Sequence, residues 1–154
     1  MSEGLSLRGS VHHIDLSVRD PRASLRFYET VLGFMGYVRV KPNDDPTVPA
    51  PPPGPGDTAY EFNIPAPLGG YHVSIGLVKA RPGAPAHDRF NPGLHHLAFR
   101  ATSREDVDGL HALLLRIGAT ILDAPAEYPQ YSAGYYAVFF ADPDGLKLEY
   151  VFKP

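Results

Sequence analysis

Two stretches of this chain alternate apolar and polar residues with a period of two, and each opens on a pair of histidines. The first is His12-His13-Ile14-Asp15-Leu16-Ser17-Val18 and the second His95-His96-Leu97-Ala98-Phe99-Arg100-Ala101, 83 positions apart (96 − 13). Such alternation predicts a half-buried strand. Each strand gives way to the spacing of an amphipathic helix. In the first helix Asp20 is the N-cap, Pro21 the first helical residue, and Leu25, Tyr28, Val31 and Leu32 form an apolar stripe that Gly33 ends. In the second, Ser103 is the cap and Glu105 and Asp106 sit in the first turn, where the helix dipole favours anions. Val107, Leu110, Leu114 and Ile117 are its buried face and Gly118 its stop. Strand-like runs follow each helix, at 34–41, 57–64 and 71–79, then at 119–123, 135–141 and 146–152. Each half therefore reads β-α-β-β-β. This predicts an α+β fold of two βαβββ modules in a single domain over 1–154, module 1 at about 11–80 and module 2 at about 94–152.

Composition adds limits to this picture. A hydrophobic share of 44% against 20% charged residues suits an ordinary globular core. A net charge of -3 with no local basic run gives no electrostatic footprint for nucleic acid. No run of about 18 apolar residues is present, so no membrane span is expected. The first ten residues are polar and do not read as a signal peptide, which leads to the expectation of a cytoplasmic protein. Cysteine is absent, so disulfides and thiolate metal sites are excluded. Any metal has to be held by His, Asp or Glu, a donor set suited to Fe, Mn, Zn, Ni or Co. The proline-rich segment 42–56 reads as a stiff, extended surface excursion, and 81–92 as the connection between the halves.

Strand phase decides which side chains can meet. Ile14, Leu16 and Val18 share one face of their strand, leaving His13, Asp15 and Ser17 on the other. In the matching strand Leu97, Phe99 and Ala101 oppose His96, Ala98 and Arg100. In the last strand Leu146, Leu148, Tyr150 and Phe152 oppose Lys147, Glu149 and Val151. In 71–78 Tyr71, Val73, Ile75 and Leu77 oppose His72, Ser74 and Gly76. A sheet face carrying His13, His96 and Glu149 among small residues lines a cavity. Two imidazoles and one carboxylate form a coherent set for a divalent metal that keeps open coordination positions. His12 and His95 fall on the apolar side and are expected to be structural, packed near the helices.

The residues His13-Ile14-Asp15-Leu16-Ser17-Val18, Phe27-Tyr28-Glu29-Thr30-Val31-Leu32-Gly33-Phe34, His95-His96-Leu97-Ala98-Phe99 and Asp142-Pro143-Asp144-Gly145-Leu146-Lys147-Leu148-Glu149 together resemble the vicinal oxygen chelate superfamily. That group includes glyoxalase I, bleomycin-resistance proteins and extradiol dioxygenases. The resemblance implies curled mixed sheets around a metal-centred cavity, and a homodimer. It carries the ligand positions onto His13, His96 and Glu149. A fourth ligand position, aligned through Gly70 and Gly145, falls on Ser74, with His72 as the alternative.

The activity implied is that of a metal-dependent lyase or isomerase, lactoylglutathione lyase-like, acting on a small substrate with vicinal oxygens, with Glu149 as the catalytic base. The alternatives are an extradiol-type dioxygenase or a non-catalytic, bleomycin-resistance-like binding protein. Extradiol enzymes place a tyrosine ten residues before the ligand glutamate; this chain has Phe139 there. Arg100, Tyr131, Tyr135 and Lys147 are the candidate substrate-binding residues.

Overall fold

The computed structural model describes residues 8–40 and 53–154. Most of the proline-rich segment lies outside the described residues. Module 1 consists of β1 (His13–Val18), α1 (Pro21–Phe34), β2 (Val38–Val40), β3 (Thr58–Pro65) and β4 (Tyr71–Lys79). Module 2 repeats it with β5 (Leu97–Arg100), α2 (Arg104–Arg116), β6 (Thr120–Glu127), β7 (Tyr136–Ala141) and β8 (Lys147–Phe152). Each module forms one four-stranded mixed sheet, ordered β1-β4-β3-β2 and β5-β8-β7-β6. The first strand of each runs parallel to the last, and the others pair antiparallel. The α+β reading with paired βαβββ modules holds. No helix among the described residues is long and apolar enough to cross a membrane.

Both helices start where their caps place them. The Asp20 carboxylate accepts from the backbone N–H of Arg22 and Ala23, and the Ser103 hydroxyl accepts from Asp106. The first helix does not stop at Gly33 as its sequence suggests. It continues to Phe34, and Gly36, at φ +93°, supplies the left-handed residue. The Tyr37 N–H then closes onto the Leu32 carbonyl at 2.9 Å. The second helix ends the same way at Gly118 (φ +68°), with Ala119 N–H on the Leu114 carbonyl at 3.0 Å. The extra residues of α1 bring Phe34 against Tyr150, and a Cβ on Gly109 of α2 would stand 3.2 Å from the Phe34 ring. Here the strand expected over 34–41 shrinks to three residues. β6 instead runs past its expected end, with Pro125 inside the second of two register shifts on an edge strand, where a missing N–H costs no ladder bond.

The core follows the strand phase. Leu16, Val18, Ile75, Leu77, Phe99, Leu148 and Tyr150 are buried on the helix side, against Tyr28, Val31 and Leu32 of α1 and Val107, Leu110 and Leu114 of α2. The halves are joined by ring contacts between Phe27 and Phe140 and between Tyr37 and Phe99. They are also joined by polar groups from the two segments that carry the sequence resemblance. The Tyr28 hydroxyl donates to Asp142 Oδ2 at 2.6 Å, while Asp142 Oδ1 accepts from the N–H groups of Asp144 and Leu146. Asp144 in turn takes the backbone N–H and Nε of Arg19. Burial raises the Asp142 carboxyl above its usual range and, with Asp142 beside it, raises the Tyr28 phenol. The Asp-Pro-Asp-Gly turn is thus a clamp: it fixes the entry of β8, and with it the position of Glu149.

Candidate metal centre

The second half carries the more developed cluster. Glu149 lies in β8, with Ala98 facing it on β5 and Phe139 on β7. Glu149 is only 2% exposed, which is unusual for an acidic residue. His96, at the entry to β5, holds Nε2 3.1 Å from Glu149 Oε2. Tyr135 donates its hydroxyl to the other oxygen, Oε1, in a short hydrogen bond. Burial, and then that bond, hold the Tyr135 phenol well above the ordinary tyrosine range, so it stays protonated and donates. An aromatic wall adjoins this group: Tyr131 stacks on Tyr128, and Tyr128 and Tyr135 meet edge to face, as do Tyr128 and Phe139. Lys147 Nζ lies 4.2 Å above the Phe139 ring. Arg100 is exposed on β5.

The first half forms a separate polar cavity of about 240 Å³ lined by His13, Asp15, Thr58, Glu61, Tyr71 and Ser74. His13 Nε2 is 4.0 Å from Asp15 Oδ2, and the Ser74 hydroxyl donates to Glu61 Oε1 at 2.9 Å. The structure therefore brings His96 to Glu149 but does not bring His13 to either. Among the described residues of one chain, no three His, Asp or Glu side chains converge as a metal site.

Several sequence expectations need correction. His12 and His95 are not packed under the helices; both are exposed. They precede the regular part of their strands, so the alternation does not reach them. Their Nδ1 atoms face Nδ1 of His13 at 3.0 Å and of His96 at 2.8 Å. That contact restrains the second ring of each pair, whose Nε2 lies toward a carboxylate: Asp15 at 4.0 Å for His13 and Glu149 at 3.1 Å for His96. His72 does not enter the cavity. Pro65 pairs with Tyr71 and Ile64 with Val73, so His72 is the extra residue of a β-bulge, and Tyr71 lines the cavity instead. Ser74 lines the cavity but is not the counterpart of Glu149. Asp15 faces Gly76, whereas its repeat equivalent Ala98 faces Glu149, so the equivalent of Glu149 is Gly76.

The strand pattern puts Asp15 on the face of His13 without giving it a role, and it does not mark Glu61, Thr58, Tyr71 or Tyr128 as site residues. Alternation through 57–64 would have put Glu61 in phase with the cavity; the bulge that turns Tyr71 inward has no local signature.

Residues 10–150 match the profile of the Glyoxalase/Bleomycin resistance protein/Dioxygenase superfamily. The chain belongs to this superfamily. An uncharacterized protein of Bacillus subtilis, YqjT, is 30% identical over 141 residues, covering 92% of this chain and 97% of its own. A glyoxylase/bleomycin resistance protein/dioxygenase domain from Frankia sp. EAN1pec is 28% identical with a TM-score of 0.69, covering 95% and 98% of the two chains. A lactoylglutathione lyase from Agrobacterium tumefaciens shares the fold at 17% identity and a TM-score of 0.59, covering 94% and 93%.

Members of the glyoxalase superfamily typically use divalent metals, and the donors here fit one. Glu149 is a buried carboxylate whose neighbours are a hydroxyl and an imidazole, a donor set that suits a cation. Tyr135 restrains that carboxylate through its hydrogen bond to Oε1. Replacing Tyr135 with Phe is expected to weaken metal affinity about 10-fold or more, as loss of an outer partner does. Calorimetric titration checks this, and an unchanged affinity would mean that the phenol does not support Glu149 in holding a metal.

Proposed function

We propose that this protein is a metal-dependent enzyme of the glyoxalase type, a lyase or isomerase acting on a small substrate with vicinal oxygens. In this reading His13, His96 and Glu149 hold the divalent cation, which is Ni, Co, Zn, Mn or Fe by donor type. The observation that carries it is the buried Glu149 carboxylate with His96 Nε2 at 3.1 Å, repeated in outline by His13 at the equivalent place in the other module. Because the described residues of one chain do not gather three ligands, the proposal includes a homodimer in which His13 of one protomer completes the site formed by His96 and Glu149 of the other.

A bound divalent ion supplies Lewis acidity, polarising vicinal oxygens and stabilising oxyanion charge. The chain's own groups do the rest. Glu149 is the base candidate for moving a proton between adjacent substrate carbons, with Oε1 restrained by Tyr135 and Oε2 toward His96. Tyr128 and Tyr131 offer flat apolar surface to a substituent, and Lys147 and Arg100 offer charge to an anionic one.

A second reading, an iron-dependent extradiol-type dioxygenase, is favoured by the donor set alone, since two imidazoles and a carboxylate also suit ferrous iron. Against it stands Phe139 directly across from Glu149, a ring with no hydroxyl to donate. Oxygen separates the two. Assayed with Ni, Co, Zn, Mn and Fe against 2-oxoaldehyde–thiol adducts and catechols, turnover is expected to be the same under nitrogen as in air. Turnover that vanishes without oxygen would replace this proposal with the second reading.

A further inference from the structure

The two modules distribute their carboxylates in opposite ways. Position 15 corresponds to position 98 (98 − 15 = 83), the same offset that relates His13 to His96. Across the β1–β4 ladder Asp15 faces Gly76; across the β5–β8 ladder Ala98 faces Glu149. Each ladder thus pairs one acid with one small residue at the same level of the sheet. In module 2 the acid is on the last strand, and in module 1 it is on the first.

Packing around Gly76 indicates that the exchange is spatial and not only formal. A Cβ built on Gly76 would collide with Asp15 Oδ1 and stand 3.3 Å from its Cγ. Gly76 is buried and its φ is not positive, so its backbone does not require glycine. The Asp15 carboxylate occupies the space into which a side chain at 76 would grow, and a residue larger than glycine there would displace it. Asp15 also lines the cavity of His13, with Oδ2 4.0 Å from His13 Nε2. Glu61, which faces Gly76 from the other side, has Oε1 taken by the Ser74 hydroxyl.

We propose that Asp15 is the functional counterpart of Glu149: a carboxylate supplied by β1 in place of one on β4, which acts with His13 on the same ion. The site then holds two imidazoles and two carboxylates, and the fourth donor is Asp15, not Ser74 or His72. This inference rests on the metal-site reading above.

Cobalt(II) is the probe, because calorimetry gives its affinity and its visible absorption reports coordination number independently of turnover. In the full-length protein, Asp15→Ala is expected to lower Co(II) affinity about 10–100-fold, at least the loss seen when an outer partner is removed, and to change the visible band. Asp15→Asn keeps the packing over Gly76 and removes the charge, and is expected to do the same. Glu61→Gln is expected to stay within about 3-fold of the parent, well short of the loss from a donor. The double variant Asp15→Ala/Gly76→Glu returns the carboxylate to β4 and should regain most of the lost affinity and the parent band. Wild-type affinity and spectrum in Asp15→Asn would overturn the proposal, as would a loss in Glu61→Gln equal to that in Asp15→Asn. No Co(II) binding by the parent protein would bring down the metal-site reading as well, an outcome distinct from an Asp15 variant binding as the parent does.

Discussion

Alanine at position 149 is expected to eliminate stoichiometric binding of divalent metal and, with it, turnover. Glu149 is the most deeply buried of the three proposed ligands, and both of its oxygens are already directed by neighbours, Oε1 by Tyr135 and Oε2 toward His96. Its removal takes away the more buried carboxylate donor, so the loss of affinity is expected on the order of 100-fold or more, beyond what outer partners typically cost. A purely structural carboxylate would behave differently. A buried anion is a weak stabiliser of a fold, because desolvation offsets its attractions. The metal-free Glu149→Ala protein should therefore melt close to, or above, the metal-free parent, with a Tyr135 hydroxyl that has lost its acceptor as the main cost. The parent should gain thermal stability on adding metal, by the linkage between ligand binding and unfolding, and the variant should not. Elemental analysis paired with melting curves, each with and without metal, reads both effects. Metal content equal to that of the parent would remove Glu149 from the site. A large drop in the melting temperature of the metal-free variant would instead assign it to the fold.

Local pattern carried the architecture far. The 83-residue offset, the caps at Asp20 and Ser103 and the phase of β1, β5 and β8 all depend on near neighbours in the chain, and all recur in the structure. What the sequence misplaced depends on pairing between strands. Gly33 reads as a stop because glycine favours helix ends, yet Phe34 packs on Tyr150 and the left-handed turn falls at Gly36. Aligning the two halves on Gly70 and Gly145 matched Ser74 to Glu149. The ladder matches Gly76, since β4 carries the His72 bulge and meets β1 later than β8 meets β5. A two-residue offset preserves strand phase, so alternation alone could not reveal it. For the same reason Asp15 was placed on the correct face without a function: its relation to Gly76 lies across a ladder, not along a strand. Proposed ligands are legible one at a time where each is in phase. Their assembly is not, because the chain that holds His96 beside Glu149 holds His13 in a different cavity.

That separation leads to an expected result that distinguishes a shared site from one within a chain. His13→Ala and Glu149→Ala are each expected to be inactive and nearly metal-free as purified homodimers. When the two variants are co-expressed, random pairing places one of each in half of the dimers. In such a mixed dimer one site combines both lesions. The other takes His13 from the Glu149→Ala chain, and His96 with Glu149 from the His13→Ala chain, and is intact. About a quarter of all sites should therefore regain metal and activity, from a background near zero, as the two-fold symmetry of a dimer requires. Differently tagged chains allow the mixed dimer to be isolated, where recovery should approach half of the sites. If the ligands instead converge within a single chain, every site in every dimer keeps its lesion and mixing restores nothing. Mixing His96→Ala with Glu149→Ala provides the internal control. Those two residues sit in the same module of the same chain, 3.1 Å apart between Nε2 and Oε2, so neither arrangement of subunits can place them together again. Recovery in the first mixture and none in the second is the outcome expected of a site shared between protomers. Absence of recovery in both, with mixed dimers demonstrably formed, would return the site to a single chain and require the modules to close on each other when metal binds.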